Sequence, residues 1–202
     1  MPKLDLRRAW PALYRPGRQP HVVQVPPLRY LGVDGRGAPG CAAFQAAIEA
    51  LFTASYHARF ALKKQGVDYA VMPLEGLWWA DDMGVFLRSE REQWRWTLLI
   101  AQPDCVPTTA LAEARAAASA KLGASAAALR VIELHEGTCA QALHVGPFSE
   151  EGPLVAQLHR LIAASGGRLD RPEQKHHEIY LSDFRRTRPE RLRTIVRQPF
   201  TS

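Results

Sequence analysis

Two neighbouring segments decide the fold of this chain: Val71-Met72-Pro73-Leu74-Glu75-Gly76-Leu77-Trp78-Trp79 and Trp94-Arg95-Trp96-Thr97-Leu98-Leu99-Ile100. They contain four of the five tryptophans, with the carboxylate of Glu75 among them. Aromatic and aliphatic runs of this length favour β-strands, and we predict strands over 67–80 and 94–101 that pair as a hairpin. A carboxylate beside large apolar rings loses hydration, which suits a pocket for a flat or cationic organic ligand.

Upstream of this hairpin the pattern predicts a strand and then a helix. Residues 21–33 alternate and are rich in β-branched side chains, with an interruption at Pro26-Pro27. Residues 40–64 carry an apolar stripe at helical spacings of three and four, formed by Phe44, Ile48, Leu51, Ser55, Ala58 and Leu62. The first half therefore reads strand, helix, strand, strand.

The second half repeats this order after an alanine-rich linking helix at 108–121. Its predicted elements are strands at 129–134 and 138–145, a helix at 149–164, and strands at 176–182 and 194–199. The fold class is therefore α+β: two βαββ pseudo-repeats, about 21–104 and 125–202, that form one antiparallel sheet with helices on one face and a ligand cleft on the other. We predict a single domain over 21–202, with residues 1–20 as an extension packed on it.

Alternation along the strands assigns side chains to the two faces of the sheet. In the strand at 176–182, we expect His177 and Ile179 to meet the helices and Glu178 and Tyr180 to face the ligand. In the first half, Glu75 shares a face with Trp79. Trp78 lies on the opposite face, so one tryptophan would line a pocket while the other fills the core.

The composition favours one soluble cytoplasmic domain. The chain has 202 residues, 47% of them hydrophobic, without an apolar run long enough to span a membrane and without the apolar region of a secretory signal. Its three cysteines are widely spaced, which disfavours a disulfide framework or a thiolate zinc site. No membrane association is expected.

Several other functional classes are disfavoured by charge and motifs. The net charge of +6 is concentrated in an arginine-rich run at 185–197 without interleaved aromatics, so we interpret it as a solvated surface rather than a nucleic-acid site. His176 and His177 are adjacent in a strand and face opposite ways, which argues against a shared metal. The sequence lacks a dinucleotide fingerprint and a Gly-x-Ser-x-Gly elbow, so we expect no metal and no cofactor.

A set of ordered segments resembles the stand-alone GyrI-like small-molecule-binding proteins, over nearly the whole chain. The set comprises Val71–Trp79, Trp94–Leu98, Gln102-Pro103-Asp104, Leu143-His144-Val145-Gly146-Pro147-Phe148, Glu150-Glu151-Gly152-Pro153, Lys175–Asp183, Arg185-Arg186-Thr187 and Arg197-Gln198-Pro199. The resemblance implies the effector-binding fold with a ligand cleft at the junction of the two halves. In related effector domains of multidrug-responsive regulators, a buried glutamate meets cationic aromatic drugs.

Stand-alone members of this family are associated with hydrolysis of cyclopropane-bearing, DNA-alkylating genotoxins in bacteria. By resemblance, Glu178 and Tyr180 match the second-half strand motif, and we assign Glu178 as the water-orienting base and Tyr180 as a hydrogen-bonding acid or orienter. Glu75, Trp78 and Trp79 match the first-half motif as ligand-binding residues, and Tyr30 is a further candidate lining residue. The sequence alone does not determine which of Glu75 and Glu178 acts as the acid and which as the base.

Two functions are compatible with such a site. One is a cofactor-independent hydrolase that detoxifies a cyclopropanoid. The alternative is a non-catalytic protein that sequesters small aromatic or cationic molecules, or that contacts DNA gyrase as the name-giving family member does. No helix-turn-helix precedes the domain, which disfavours a role as a transcription factor.

Overall fold

The computed structural model describes residues 3–82, 84–172 and 174–201. The strands are His21–Val25 (β1), Leu28–Arg36 (β2), Leu74–Trp79 (β3), Arg95–Ala101 (β4), Arg130–Leu134 (β5), Gly137–Val145 (β6), His176–Tyr180 (β7) and Arg193–Pro199 (β8). The α-helices are Leu6–Ala9 (α1), Pro11–Tyr14 (α2), Ala42–Lys64 (α3), Gly84–Leu87 (α4), Thr108–Leu122 (α5), Ala124–Ala127 (α6) and Gly152–Ala164 (α7). Short 3-10 helices occur at Arg91–Gln93, Phe148–Glu150 and Pro189–Arg191.

The chain divides into two compact units. The first unit consists of residues 1–9 and 28–134, and the second of residues 10–27 and 135–202. Every strand pairing within each unit is antiparallel. The α+β class and its antiparallel strands are thus confirmed.

In the first unit, the strands lie in the order β3-β4-β2-β5, and helix α3 packs against β2 and β4. The predicted apolar stripe of α3 is buried along its whole length. The register brings Trp78, Trp96 and Gly35 side by side on neighbouring strands. A Cβ atom at Gly35 would lie 2.0 Å from the Trp96 ring, so the close approach of this ring to the sheet requires glycine.

In the second unit, the strands lie in the order β1-β6-β8-β7, and helix α7 packs against β6. The apolar residues of α7 and the strands form a buried cluster that consists of Ala140, Ala142, Leu154, Leu158, Ile162, Val196 and Phe200. The helix ends at a turn in which Gly166 has a φ of +72°, a conformation that glycine adopts without strain. This cluster holds α7 on one face of the four strands.

The strand that precedes each βαββ repeat pairs with a strand of the other repeat. β1 comes directly before β2 in the chain, yet it pairs with β6 in the second unit. β5 comes directly before β6, yet it pairs with β2 in the first unit. Each unit is therefore completed by a strand that precedes the other repeat in sequence.

A buried polar network lies on the face of the second unit that is opposite to α7. Glu136 accepts a hydrogen bond from Arg197 and binds the His177 ring at 2.9 Å, and all three side chains are buried. Arg197 also donates to the backbone carbonyl of Leu13, which connects β8 to the N-terminal segment. Burial raises the pKa of Glu136, but the charges of His177 and Arg197 outweigh this effect and hold the pKa at about 2.

No helix among the described residues is both long and apolar enough to cross a membrane.

Candidate functional site

The strongest candidate site lies within the second unit, where the start of α7 meets β7. Glu151 is the N-cap residue of α7 and follows the short 3-10 helix at Phe148–Glu150. Its side chain is only 6% exposed, unlike the neighbouring Glu150, which lies on the surface. A carboxylate at a helix N-terminus is favoured by the helix dipole, but burial of this one needs a further partner.

That partner comes from β7. Glu178 pairs in register with Val196, and Val196 belongs to the apolar cluster under α7. Residues in register on neighbouring strands share a face, so His176, Glu178 and Tyr180 all lie on the α7 side. The expectation that His177 and Ile179 face the main helix of this half is wrong, because His177 belongs to the polar network on the opposite face.

Glu151 and Glu178 form a hydrogen-bonded carboxyl pair. Burial, together with the negative charge of Glu178 and the hydrogen bond between them, raises the pKa of Glu151 to about 10. At neutral pH the carboxyl group of Glu151 therefore keeps its proton. Oε1 of Glu151 is buried and has no hydrogen-bond partner among the described residues, which leaves an acceptor or donor position for a ligand.

His176 lies next to the carboxyl group of Glu178 in the site. Its Nε2 atom lies 3.3 Å from Oε1 of Glu178, and both side chains are largely shielded from solvent. On α7, burial and the neighbouring His176 lower the pKa of His159. The ligand atoms of Glu151, His176 and Glu178 all lie within 4.8 Å of one another, a spacing that also suits a divalent cation. The expectation of a metal-free site stays a prediction.

Three aromatic side chains stand beside the carboxyl pair. The rings of Phe148, Tyr180 and Phe184 contact one another edge to face, with centroid distances of 5.4–6.1 Å. Tyr180 is two residues from Glu178 on the same face of β7, so the aromatic cluster and the carboxyl pair are adjacent. Phe148 is 39% exposed, so part of its side chain is accessible from solvent. The result is an acidic and aromatic surface within one unit.

The first-half candidates lie in the first unit, on two faces of its sheet. Trp78 stacks on Phe44 of α3 at 5.9 Å and is buried in the core. Glu75 pairs in register with Leu99, so it lies with Trp79 on the face opposite to α3. Glu75 is 0% exposed, whereas Trp79 is partly exposed. Their roles as ligand contacts stay predictions.

Tyr30 also lies on the face opposite to α3, where it pairs with Ala101. Its side chain is fully buried. A contact between Tyr30 and a ligand would require the surrounding side chains to move, and its role as a lining residue stays a prediction.

Sequence reasoning did not select Glu151, His176, Phe148 or Phe184 as site residues. The available signal was the pair Glu150-Glu151 directly before Gly152-Pro153, because two acidic residues at a predicted helix start are typical of helix capping and anion-dipole stabilisation. That reading explains a surface glutamate such as Glu150. It does not reveal that the next residue turns inward toward a second carboxylate.

The comparisons with a family profile and with solved structures indicate the same family. The profile of the GyrI-like small molecule binding domain matches residues 18–200. The chain is 35% identical to an uncharacterized conserved protein from Listeria innocua, with a TM-score of 0.89, over 98% of this chain and all of that one. A hydrolase from Listeria innocua has the same identity and coverage, with a TM-score of 0.88.

A more distant structure shows the same fold. The C-terminal domain of EcmrR is 9% identical, with a TM-score of 0.59 over 91% of this chain and 98% of that one. No curated protein sequence matches the chain.

Proposed function

Since this chain belongs to the GyrI-like family of small-molecule-binding domains, we propose that it binds flat aromatic molecules and hydrolyses strained, cyclopropane-bearing electrophiles of the cyclopropanoid type. The site of the reaction is the Glu151–Glu178 pair with its adjoining aromatic cluster. The family membership supports small-molecule binding. The likeness to a hydrolase from Listeria innocua supports hydrolysis.

The observation that carries this proposal is the placement of a buried carboxyl group, Glu151, next to a second and less buried carboxyl group, Glu178. Glu151 is held neutral by burial and by Glu178, so it is an acid at neutral pH. Glu178 is less buried, and its Oε1 atom lies 3.3 Å from Nε2 of His176, within reach of a hydrogen bond from that ring. Two carboxyl groups in unlike surroundings divide the roles of general acid and general base.

The reaction follows from these roles. Glu178 accepts a proton from a water molecule while the water oxygen forms a bond to a ring carbon of the cyclopropane. The strained carbon–carbon bond breaks, and its electron pair moves into the conjugated dienone, whose carbonyl oxygen takes a proton from Glu151 or from Tyr180. The sum is addition of one water to the substrate, and a proton transfer from Glu178 to the deprotonated acid restores the enzyme.

The aromatic cluster supplies binding and orientation. A flat conjugated ligand gains dispersion and quadrupole interactions against the rings of Phe148 and Phe184. The negative charge on the carboxyl pair favours a ligand that carries a cationic group. Glu75, Trp79 and Tyr30 remain our proposed ligand contacts in the first unit, with the partly exposed Trp79 the most accessible of them. Of the two adjacent tryptophans, Trp78 would then be the one that fills the core, where it stacks on Phe44.

The direct test is incubation with a cyclopropane-fused dienone, followed by mass spectrometry. We expect product with the mass of one added water, formed at a rate proportional to protein concentration and unchanged by a metal chelator. Inhibition by the chelator would overturn the metal-free mechanism. Saturable binding of an unchanged ligand would overturn hydrolysis and leave the alternative, a non-catalytic drug-sequestering protein.

A further inference from the structure

Helix α3 carries a row of aromatic rings, called here the aromatic ladder, on its outward face. This face is separate from the apolar stripe of α3 that packs against β2 and β4. The ladder consists of Phe52, Tyr56 and Phe60, which are spaced by one helical turn. Successive rings stack with centroid distances of 6.2 and 5.9 Å and interplanar angles of 28° and 25°. Tyr56 is 44% exposed and Phe60 is 53% exposed. Adjacent exposed aromatic rings of this kind mark interaction surfaces rather than ordinary surface residues.

The ladder is held in place before any partner binds. Arg59 donates from Nε to the backbone carbonyl of Tyr69 at 2.7 Å and forms an ion pair with Asp68 at 2.9 Å. Its guanidinium carbon lies 5.3 Å from the centroid of the Phe60 ring, so the ring is supported by a fixed cation. Side chains that are already ordered lose little rotational freedom on association, which favours their use in an interface.

Charged residues flank the ladder symmetrically. Glu49 and Lys63 each lie seven positions from Tyr56, one on either side, and both are exposed. Seven residues are close to two turns at about 3.6 residues per turn, so both side chains lie on the same face of α3 as Tyr56. One end of this face is therefore acidic and the other basic.

We propose that this face of α3 is the interface with a second copy of the chain. The two helices would pack antiparallel about a two-fold axis at Tyr56. In this arrangement Tyr56 stacks on the partner's Tyr56, and Phe52 meets the partner's Phe60. Glu49 then lies opposite the partner's Lys63, and the symmetry repeats each contact. A surface that is complementary to itself in both its aromatic spacing and its charge favours a second copy over an unrelated partner.

The first test is the oligomeric state of the full chain, measured by sedimentation or light scattering between about 1 and about 100 µM, since the population of a dimer depends on protomer concentration. We expect a concentration-dependent dimer. Tyr56→Asp places two carboxylates against each other at the two-fold axis and should leave only monomer. A chain that stays monomeric over the whole range would overturn the proposal.

The second test uses charge reversal. Glu49→Lys and Lys63→Glu each convert two symmetry-related attractive pairs into repulsive ones, and each should weaken the dimer about tenfold, given the modest strength of exposed ion pairs. The double variant E49K/K63E restores both pairs with their signs exchanged and should recover the wild-type dissociation constant. Recovery of this kind is specific to the antiparallel arrangement.

Matched controls are Glu113→Lys and Lys121→Glu on α5, which make the same charge changes at exposed positions outside the ladder. They should leave the dimer unchanged. A dimer that is insensitive to the α3 variants, or a double variant no tighter than the single ones, would overturn the proposed interface. All variants lie on the surface, and circular dichroism checks that each is folded.

Discussion

At the scale of single residues, the chemistry proposed for this protein depends on Glu178. Glu178→Gln keeps the shape of the side chain but removes the base that takes a proton from water. We expect turnover of a cyclopropanoid to fall by about 10²–10⁴-fold, the usual contribution of a general base. Steady-state kinetics on the folded variant measures this loss. Glu150→Gln is the matched control, because Glu150 is exposed and next to the site residue Glu151, and it should keep near wild-type turnover. A loss below about tenfold for Glu178→Gln would contradict the assignment.

The raised pKa of Glu151 predicts how the free energy of unfolding depends on pH. The pKa of its carboxyl group rises from 4.5 to about 10 in the folded protein because of burial and the nearby Glu178. Between these values the folded state binds more protons than the unfolded state, so this group's stabilising contribution is complete below about pH 4.5 and is lost progressively as pH rises toward 10. A single group changes the free energy of unfolding by up to about 1.4 kcal/mol per pH unit.

Glu151→Gln removes this proton while keeping a neutral side chain of the same shape. We expect the free energy of unfolding of the variant to decline less than that of the wild type between about pH 5 and about pH 9. Urea denaturation at both pH values measures the difference. Glu150→Gln should show the wild-type decline, and an equal decline in Glu151→Gln would show that Glu151 is not a buried neutral acid.

The candidate residues show what a sequence can and cannot specify. Glu178 and Tyr180 were found from their strand motif, and the structure places them beside each other on one face of β7. Alternation fixes that these two share a face, but it does not say which face meets α7, because both faces mix polar and apolar side chains. The face is decided by contacts with residues far along the chain, such as Glu136 and Arg197 for His177. Glu151 escaped prediction for the same reason, since its partner is 27 residues away (178 − 151).

At the scale of elements, the Glu136 network joins β6, β7 and β8 to the N-terminal segment. The pKa of Glu136 lies at about 2 because His177 and Arg197 overcome the effect of burial, and the charge of Glu136 in turn contributes to the raised pKa of the buried Cys139 thiol. Since the folded-state pKa is lower than the unfolded value of 4.5, the stabilisation is present above about pH 4.5 and is lost as pH falls toward 2. Acid should therefore loosen this corner of the second unit.

Glu136→Gln tests the network directly. Removal of one charge from a buried ion pair leaves its partners uncompensated, and we expect the free energy of unfolding at neutral pH to drop by about 3–5 kcal/mol. The difference from the wild type should shrink as pH is lowered. Urea denaturation at several pH values checks both statements. Asp183→Asn breaks an exposed carboxylate–arginine pair with Arg185 and should cost less than about 1 kcal/mol. Equal effects of the two variants would contradict a buried network.

Most elements could be predicted because their patterns are local. The helix predicted over 40–64 is observed as Ala42–Lys64, and the strand predicted over 94–101 is observed as Arg95–Ala101. The pairing of β1 with β6 and of β5 with β2 could not be predicted, because edge-strand pairing depends on hydrogen bonds between segments that are far apart in the sequence, such as Val23 with Cys139 and Gly32 with Arg130. The interruption at Pro26-Pro27 marks the place where the chain passes from the second unit back to the first.

At the scale of the whole molecule, this exchange means that the second unit is built from two distant parts of the sequence. Residues 10–27 supply β1, the buried Leu13 and Tyr14, and the carbonyl that receives Arg197. This network lies on the face of β7 that is opposite to the site residues. His177 belongs to the network and is adjacent to Glu178 in the strand, so the network fixes the backbone that carries Glu178. The N-terminal segment therefore contributes to the rigidity of a site that it does not itself form.

Recognition of ligand charge is best measured on the whole molecule, through the shift in thermal unfolding. A ligand that binds only the folded state stabilises it by about 2.7 kcal/mol at a concentration 100 times its dissociation constant. Because the negative charge of Glu178 is one of the causes that raise the pKa of Glu151, the same charge should attract a cation, and a flat aromatic cation should raise the melting temperature more than a neutral ligand of the same shape. Glu178→Gln should abolish this preference while keeping the shift caused by the neutral ligand, since burial, the largest cause of the raised pKa, still holds Glu151 protonated. Glu150→Gln should retain the preference. Equal shifts for both ligands in the wild type would show that the aromatic cluster alone determines binding.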